Sequence, residues 1–190
     1  MLNITIIEGA RGTGKSTVVS KIRQSIPEVT LMNPTGFHLD GNEGLNASTS
    51  YYDSWMDFLY SLRYHPSNIL FDRFYFSEQV FSKLYKSYKF DNFYEGFNLD
   101  MASLSHTGVK IDIILLKINN EEELEKRLSR DKVAFDKVEE SVNETMRQQK
   151  EYEKLFKELS GALNIHIVDT DGKSIDEVYD EVIKIKGYQV

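Results

Sequence analysis

The sequence contains no cysteine, and proline is scarce. Without cysteine the chain forms no disulfide, uses no thiolate nucleophile and builds no cysteine-based zinc site. Only 3 of 190 residues are proline and 11 are glycine, while 41% are hydrophobic, which excludes a collagen-like or low-complexity chain and supplies enough apolar material for a core. We expect a single domain over residues 1–190, because domains typically hold roughly 150 residues.

Positive charge and long apolar runs are also scarce. Lys and Arg total 23 against 30 Asp and Glu, a net charge of −7, so a broad basic face for nucleic acid is not expected. No apolar run approaches the roughly 20 residues of a membrane span, and the first residues lack the basic start and apolar centre of a signal peptide. We expect no nucleic-acid or membrane partner, and a cytoplasmic location.

Short apolar runs alternate with helical patterns along the chain. Strands are predicted at 4–7, 29–32, 68–72, 111–116 and 164–168, and helices near 15–25, 50–64, 75–88, 121–130, 138–160 and 174–186. This alternation predicts an α/β fold, a doubly wound five-stranded parallel sheet with helices on both faces. Residues 33–49, which include three glycines, are predicted to form a mobile loop.

The segment GARGTGKS, which starts at residue 9, fits the pattern G-x-x-x-x-G-K-[ST]. It lies between a buried strand and a helix, where backbone N–H groups and the helix dipole bind phosphate. Lys15 would reach the β and γ phosphates, and Ser16 would hold Mg²⁺. The predicted ATP phosphate contacts are Gly9, Gly12, Thr13, Gly14, Lys15, Ser16 and Thr17.

An acid and an arginine follow the third predicted strand. Asp72 emerges at the carboxyl end of that strand, the edge where open α/β sheets bind ligands. It would hold Mg²⁺ together with Ser16 or orient an attacking oxygen, and Arg73 would grip an acceptor phosphate. The alternative for Asp72 is a helix cap or an ion pair at the strand end.

These segments resemble a known family. The phosphate loop, residues 72–77, the strand at 110–117, residues 127–131 and the closing segment 168–182 follow the order of the thymidylate kinase branch of P-loop nucleotide kinases, so the resemblance spans nearly the whole chain. It implies the P-loop kinase fold, ATP and Mg²⁺ as cofactors, small nucleotide substrates with a deoxynucleoside monophosphate similar to dTMP as acceptor, and a homodimer. It also implies that Lys15 and Ser16 serve ATP and Mg²⁺ and that Arg73 holds the acceptor phosphate.

The sequence departs from that branch at two places. Arg11 stands where the branch usually has an acid that contacts the sugar, and residues 33–36 replace an Arg-Glu-Pro segment. The sister deoxynucleoside kinases carry an acid and an arginine at the same strand end and use the acid as a base. A deoxynucleoside or modified-pyrimidine kinase with Asp72 as base is therefore the alternative, and a P-loop ATPase or nucleotide switch is the second.

Two arginines suggest a lid over the transferring phosphate. Arg127 and Arg130 are three residues apart and would share a helix face, within a lid segment at about 125–137. The predicted catalytic residues are accordingly Lys15, Arg11, Asp72, Arg127 and Arg130. The alternative for both lid arginines is a surface ion pair with acids such as Glu123.

Aromatic residues concentrate in one part of the chain. Residues 51–97 hold 17 of the 23 aromatic residues, and nucleobases bind by stacking on aromatic faces beside a few polar groups. The predicted acceptor contacts are Arg73, Phe74, Ser77, Trp55 and Gln79. The alternative for most of the rings is the core, because several recur at helical spacing.

Overall fold

The computed structural model describes residues 1–130, 138–159 and 163–187. Its five strands form one parallel sheet in the order β2-β3-β1-β4-β5. The strands are β1 Asn3–Glu8, β2 Val29–Met32, β3 Asn68–Asp72, β4 Lys110–Lys117 and β5 Ile165–Asp169. All four strand pairings are parallel, so the predicted five-stranded parallel sheet is confirmed.

Helices cover both faces of this sheet, as predicted. They are α1 Lys15–Ser25, α2 Gly41–Leu62, α3 Tyr75–Tyr85, α4 Asp91–His106, α5 Glu121–Arg130, α6 Val138–Leu159 and α7 Ile175–Lys186. Successive residues of β4 enter different cores: Ile113 packs with residues of α2, α3, α4 and α6, whereas Ile114 packs with residues of α1 and α7. Among the described residues, none of the helices has the length and apolar character needed to cross a bilayer.

The loop prediction for residues 33–49 is wrong from residue 41 onward. Helix α2 begins at Gly41, where the Asp40 side chain accepts a hydrogen bond from the Gly41 N–H. Gly44 is required by packing, since a Cβ there would lie 2.6 Å from the Leu39 carbonyl oxygen and 2.9 Å from Tyr88. The two glycines that argued against a helix thus lie in its first turns.

Helix α4 was not predicted at all. Its buried residues Tyr94, Phe97, Met101 and Leu104 follow the three- and four-residue spacing of an amphipathic helix. This spacing is visible in the sequence, but the aromatic enrichment over 51–97, which includes Tyr94 and Phe97, does not by itself indicate a helix. Helix α5 covers the first part of the predicted lid, and residues 131–137 lie outside the described residues.

The strand register brings the ends of three strands together. Ile7 pairs with Asp72 on β3, and Glu8 pairs with Leu115 on β4. The chain order reverses beside β1, between β3 and β4, and such a reversal opens a crevice at the carboxyl edge of a parallel sheet. The fold therefore places the end of β1, the end of β3 and the start of α1 around one crevice.

Candidate active site

The loop between β1 and α1 has the backbone geometry of a phosphate cradle. Gly9, Gly12 and Gly14 all have positive φ, at 150°, 78° and 84°. A Cβ on Gly9 would lie 2.5 Å from the Leu116 carbonyl oxygen, so the turn excludes larger residues there. Gly14 precedes α1 without a side-chain cap, which leaves the first N–H groups of the helix for a ligand.

The strand-end acid Asp72 contacts two residues of this loop. Its Oδ1 lies 3.0 Å from Lys15 Nζ, and its Oδ2 accepts a hydrogen bond from Ser16 Oγ at 3.1 Å. Both members of the ion pair are buried, and burial lowers the pKa of Lys15 while Asp72 acts in the opposite direction. The Ser16 hydroxyl and the Asp72 carboxylate are hard oxygen ligands of the kind Mg²⁺ takes.

A cavity of about 610 Å³ surrounds the phosphate loop. We call it the donor cavity, for the role that we propose for it. Of the described residues, seven lysines and arginines line it against one acid, Glu123, in a protein whose net charge is −7. These seven cations are Arg11, Lys15, Arg73, Lys126, Arg127, Arg130 and Lys173. The excess positive charge suits a polyphosphate.

Arg127 lines the donor cavity but already has several protein partners. It donates to the carbonyl oxygen of Gly12 at 3.3 Å, and to Oγ1 and the carbonyl oxygen of Thr170 at 3.1 and 2.7 Å. It also pairs with Glu123, as the alternative interpretation of the sequence expected. Arg127 therefore ties α5 to the phosphate loop and to the turn after β5, whereas Arg130 is an exposed residue on the cavity wall.

A second cavity of about 840 Å³ lies beside α3. We call it the acceptor cavity, for the role that we propose for it. Its walls come from the loop at 34–40, from α3 and from α6, and its aromatic residues include Phe37, Phe81 and Tyr85. Ser77, a predicted acceptor contact, lines it. Arg73 lines both cavities, so one residue borders the cation-rich cavity and the cavity with aromatic walls.

Arg73 holds an unusual backbone conformation. Its φ is 72°, the only positive value at a non-glycine residue in the part of the chain described. Its N–H donates to the Ile7 carbonyl oxygen at 3.0 Å, and its guanidinium carbon lies 5.8 Å from the centre of the Phe81 ring. A strained residue at a ligand crevice is typical of functional sites.

Three predicted acceptor contacts lie elsewhere. Phe74 is fully buried and stacks on Phe71 at 4.5 Å between ring centres, and Trp55 packs edge-on against the same ring. The Gln79 amide donates to Asp91 at 2.7 Å. Of the residues placed in the structure, these three belong to the core or to a link between helices, and not to the lining of the acceptor cavity.

Glu8, which the sequence analysis missed, lies at the same edge. It ends β1 with no exposed surface, and its carboxylate accepts hydrogen bonds from the Phe74 N–H and from Ser77 Oγ, both at 2.7 Å. Burial raises the pKa of Glu8 to about 7, against the opposing effects of the Ser77 hydrogen bond and of Arg73. An acid at the end of an otherwise apolar strand, directly before the phosphate loop, was the available signal.

Comparison with known proteins shows the fold. No protein-family model and no curated protein matches the sequence. A YorR protein from Bacillus subtilis, solved with phosphorylated GDP, is similar to it with 20% identity and a TM-score of 0.70, covering 97% of this chain and 95% of that one. Thymidylate kinase from Candida albicans is 18% identical with a TM-score of 0.63, covering 98% of this chain and 92% of that one. Deoxyadenosine kinase from M. mycoides, solved with the products dCMP and dCDP, is 15% identical with a TM-score of 0.58, covering 97% of this chain and 100% of that one. The chain therefore has the P-loop kinase fold.

Proposed function

We propose that the protein transfers the γ phosphate of ATP to a deoxynucleoside monophosphate. The observation that carries the proposal is Arg73, which lines both the cation-rich donor cavity and the aromatic acceptor cavity. A kinase has to hold two anionic reactants in line, and a guanidinium between them binds phosphate oxygens in its fork geometry. A simple ATPase has no need of the second cavity.

The donor side binds the triphosphate through the backbone N–H groups of the loop and through Lys15. Ser16 and Asp72 would hold Mg²⁺, which when bound neutralises phosphate charge. The ion pair between Lys15 and Asp72 fixes the ammonium that binds the phosphates relative to the carboxylate that would hold Mg²⁺. Catalysis of this kind rests on positioning and charge neutralisation.

The acceptor side binds a phosphate through Arg73 and a flat base between rings. Lys86, the other lysine or arginine of the described lining, donates to the carbonyl oxygens of Phe37 and Leu39 at 3.1 and 2.6 Å and so fixes the loop at 34–40. Arg73 is thus the guanidinium for the acceptor phosphate. The similarity to a thymidylate kinase, and to a deoxyadenosine kinase solved with dCMP and dCDP, supports a nucleotide acceptor. The acceptor that the sequence resemblance implies is a monophosphate similar to dTMP.

A second candidate is phosphorylation of a nucleoside hydroxyl, and Glu8 is the observation that favours it. A carboxylate with a pKa of about 7 is suited to act as a general base, and Ser77 connects it to the acceptor cavity. Asp72, the base expected from the sequence in this alternative, is engaged with Lys15 and Ser16. In this candidate Ser77 Oγ takes the proton of the attacking hydroxyl and passes its own proton to Glu8, because Glu8 itself has no exposed surface.

The experiment is an ATP-consumption assay of the purified chain with Mg²⁺, run against each common deoxynucleoside and each deoxynucleoside monophosphate. The proposal predicts little ADP without an acceptor and rapid ADP formation with a monophosphate. ATP consumption only with deoxynucleosides would favour the second candidate, phosphorylation of a nucleoside hydroxyl. Rapid hydrolysis that no acceptor changes would contradict both and indicate a P-loop ATPase or switch.

A further inference from the structure

Glu78 is a buried acid on the wall of the acceptor cavity. It lies in the first half of α3 and is 4% exposed. Glu78, Phe81 and Tyr85 are spaced three and four residues apart, so they share the helix face that lines the cavity beyond Arg73. The Glu78 carboxylate therefore borders the same cavity as Arg73 and these rings.

One oxygen of this carboxylate is occupied by the protein. The Tyr88 hydroxyl donates to Glu78 Oε1, and Ser48 Oγ lies 3.4 Å from the same hydroxyl. Burial, and then the hydrogen bond to Glu78, raise the pKa of Tyr88, which keeps it a neutral donor. Oε1 is therefore satisfied without a ligand.

The other oxygen is left for a ligand. Within the described residues, Oε2 has no hydrogen-bond donor, and no lysine, arginine or histidine forms an ion pair with Glu78. Oε2 lies 2.8 Å from the point where a Cβ on Gly36 would stand, and Gly36 also lines the cavity. Any larger residue at position 36 would push this oxygen from its position. Oε2 is not among the fully buried side-chain atoms without a partner, so it keeps some exposed surface, and a ligand donor there would replace water.

We propose that Glu78 selects the acceptor by its base. This inference rests on the proposed function, because it takes the second cavity as the acceptor site. Oε2 accepts a hydrogen bond from an exocyclic amino group, which adenine, guanine and cytosine carry. Thymine has no exocyclic amino group, and its O4 stands where cytosine has its amino group, so this carbonyl oxygen would face the carboxylate unfavourably. The substrate class is the monophosphates of amino-bearing bases, in place of the dTMP-like acceptor that the resemblance implies.

The test measures binding without ATP, by titration calorimetry of dAMP, dGMP, dCMP and dTMP. We expect the tightest of the three amino-bearing nucleotides to bind about 10- to 100-fold more tightly than dTMP. Glu78→Gln keeps the acceptor for Tyr88 and turns Oε2 into an N–H donor, so this ratio should fall to about one or reverse. Gly36→Ala should lower the ratio as well, because its Cβ would lie 2.8 Å from Oε2 and so displaces that oxygen while the carboxylate itself is retained. Glu95→Gln, an exposed acid on α4, is the matched control and should retain the wild-type ratio.

Several outcomes would overturn the inference. It fails if dTMP binds as tightly as the others, if Glu78→Gln folds but leaves the ratio unchanged, or if none of the four binds. A 2′,3′-dideoxy nucleotide tests the sugar as the source of the donor. If loss of the 3′-hydroxyl weakens wild-type binding and Glu78→Gln removes that difference for every base, Glu78 reads the sugar and the base assignment is wrong. Selective binding without phosphoryl transfer would instead refute the proposed function, and Glu78 would then select the base of a bound nucleotide that is not a phosphoryl acceptor.

Discussion

Lys15 Nζ lies 3.0 Å from Oδ1 of Asp72, which joins the phosphate-loop lysine to the acid at the end of the neighbouring strand. The two residues are 57 positions apart in the sequence, and the β1–β3 register brings them together. Both side chains are less than one-tenth exposed, so the pair lies largely out of water. The loop and the strand end therefore act as one unit.

We predict that this pair is energetically coupled. Lys15→Met or Asp72→Asn alone leaves a buried charge without its partner and should destabilise the fold by about 3 kcal/mol, whereas the double variant should lose clearly less than the sum. Urea unfolding of the four proteins measures the coupling. Strictly additive losses would show that the contact contributes nothing to stability.

Lys15→Ala should also abolish phosphoryl transfer, with a loss of at least about 100-fold, because the ammonium faces charge that develops in the transition state. The measurement is kcat with saturating ATP and acceptor, and circular dichroism checks the fold. A variant that folds and keeps more than one-tenth of wild-type kcat would remove Lys15 from the catalytic residues.

Two substitutions at Arg73 distinguish the role of its guanidinium from the role of its backbone conformation. Arg73→Ala and Arg73→Gly both remove the guanidinium and should raise the acceptor KM by about tenfold or more, with a smaller change in the ATP KM. Because φ is 72° at this position, the glycine variant should be more stable than the alanine variant by about 1 kcal/mol.

Kinetics and thermal melting of these two Arg73 variants answer separate questions. An unchanged acceptor KM in both would contradict the phosphate-binding role. Equal stability of the two would contradict the strain.

Glu8 should make stability depend on pH. Its pKa rises from 4.5 to about 7 on folding, so between these values only the folded chain holds the proton. The contribution of Glu8 to the free energy of unfolding is fully present below pH 4.5. It is lost as pH rises through 7, by about 3 kcal/mol in total. Glu8→Gln mimics the protonated form and should match the wild type at pH 4.5 but exceed it by about this amount at pH 8.

Urea unfolding at a series of pH values tests the Glu8 prediction, and parallel wild-type and variant curves would contradict it. The same variant separates the two candidate functions. A nucleoside kinase that uses Glu8 as base loses kcat in Glu8→Gln, together with the acid limb of its pH profile near 7. A monophosphate kinase retains most of its kcat.

The sheet and the phosphate loop could be predicted because their signals are local. A β-branched run followed by GARGTGKS specifies strand, loop and helix within 25 residues. Glu8 gave no such pattern, since its partners Phe74 and Ser77 lie 66 and 69 residues away. The enrichment of rings in 51–97 did not show which rings face a cavity, and Trp55 and Phe74 proved to be packed against Phe71.

Substitutions at Arg127 test whether this residue of α5 supplies positive charge or holds the phosphate loop in place. Its guanidinium donates to Gly12 and Thr170 at once, a bridge that an ammonium does not reproduce. Arg127→Lys should therefore raise the ATP KM nearly as much as Arg127→Ala, by about tenfold. Initial-rate kinetics over a range of ATP concentrations measures this. Full retention of the wild-type KM in Arg127→Lys would show that positive charge alone is needed.

The central claim is that Arg73 joins a donor site to a monophosphate acceptor site. The most direct measurement follows the labelled γ phosphate of ATP in wild type and Arg73→Ala, with each deoxynucleoside monophosphate and its matching deoxynucleoside. The account predicts a labelled diphosphate from a monophosphate, formed far more slowly by Arg73→Ala at low acceptor concentration. Label that appears only on nucleosides, or only as inorganic phosphate at a rate no acceptor changes, would contradict it.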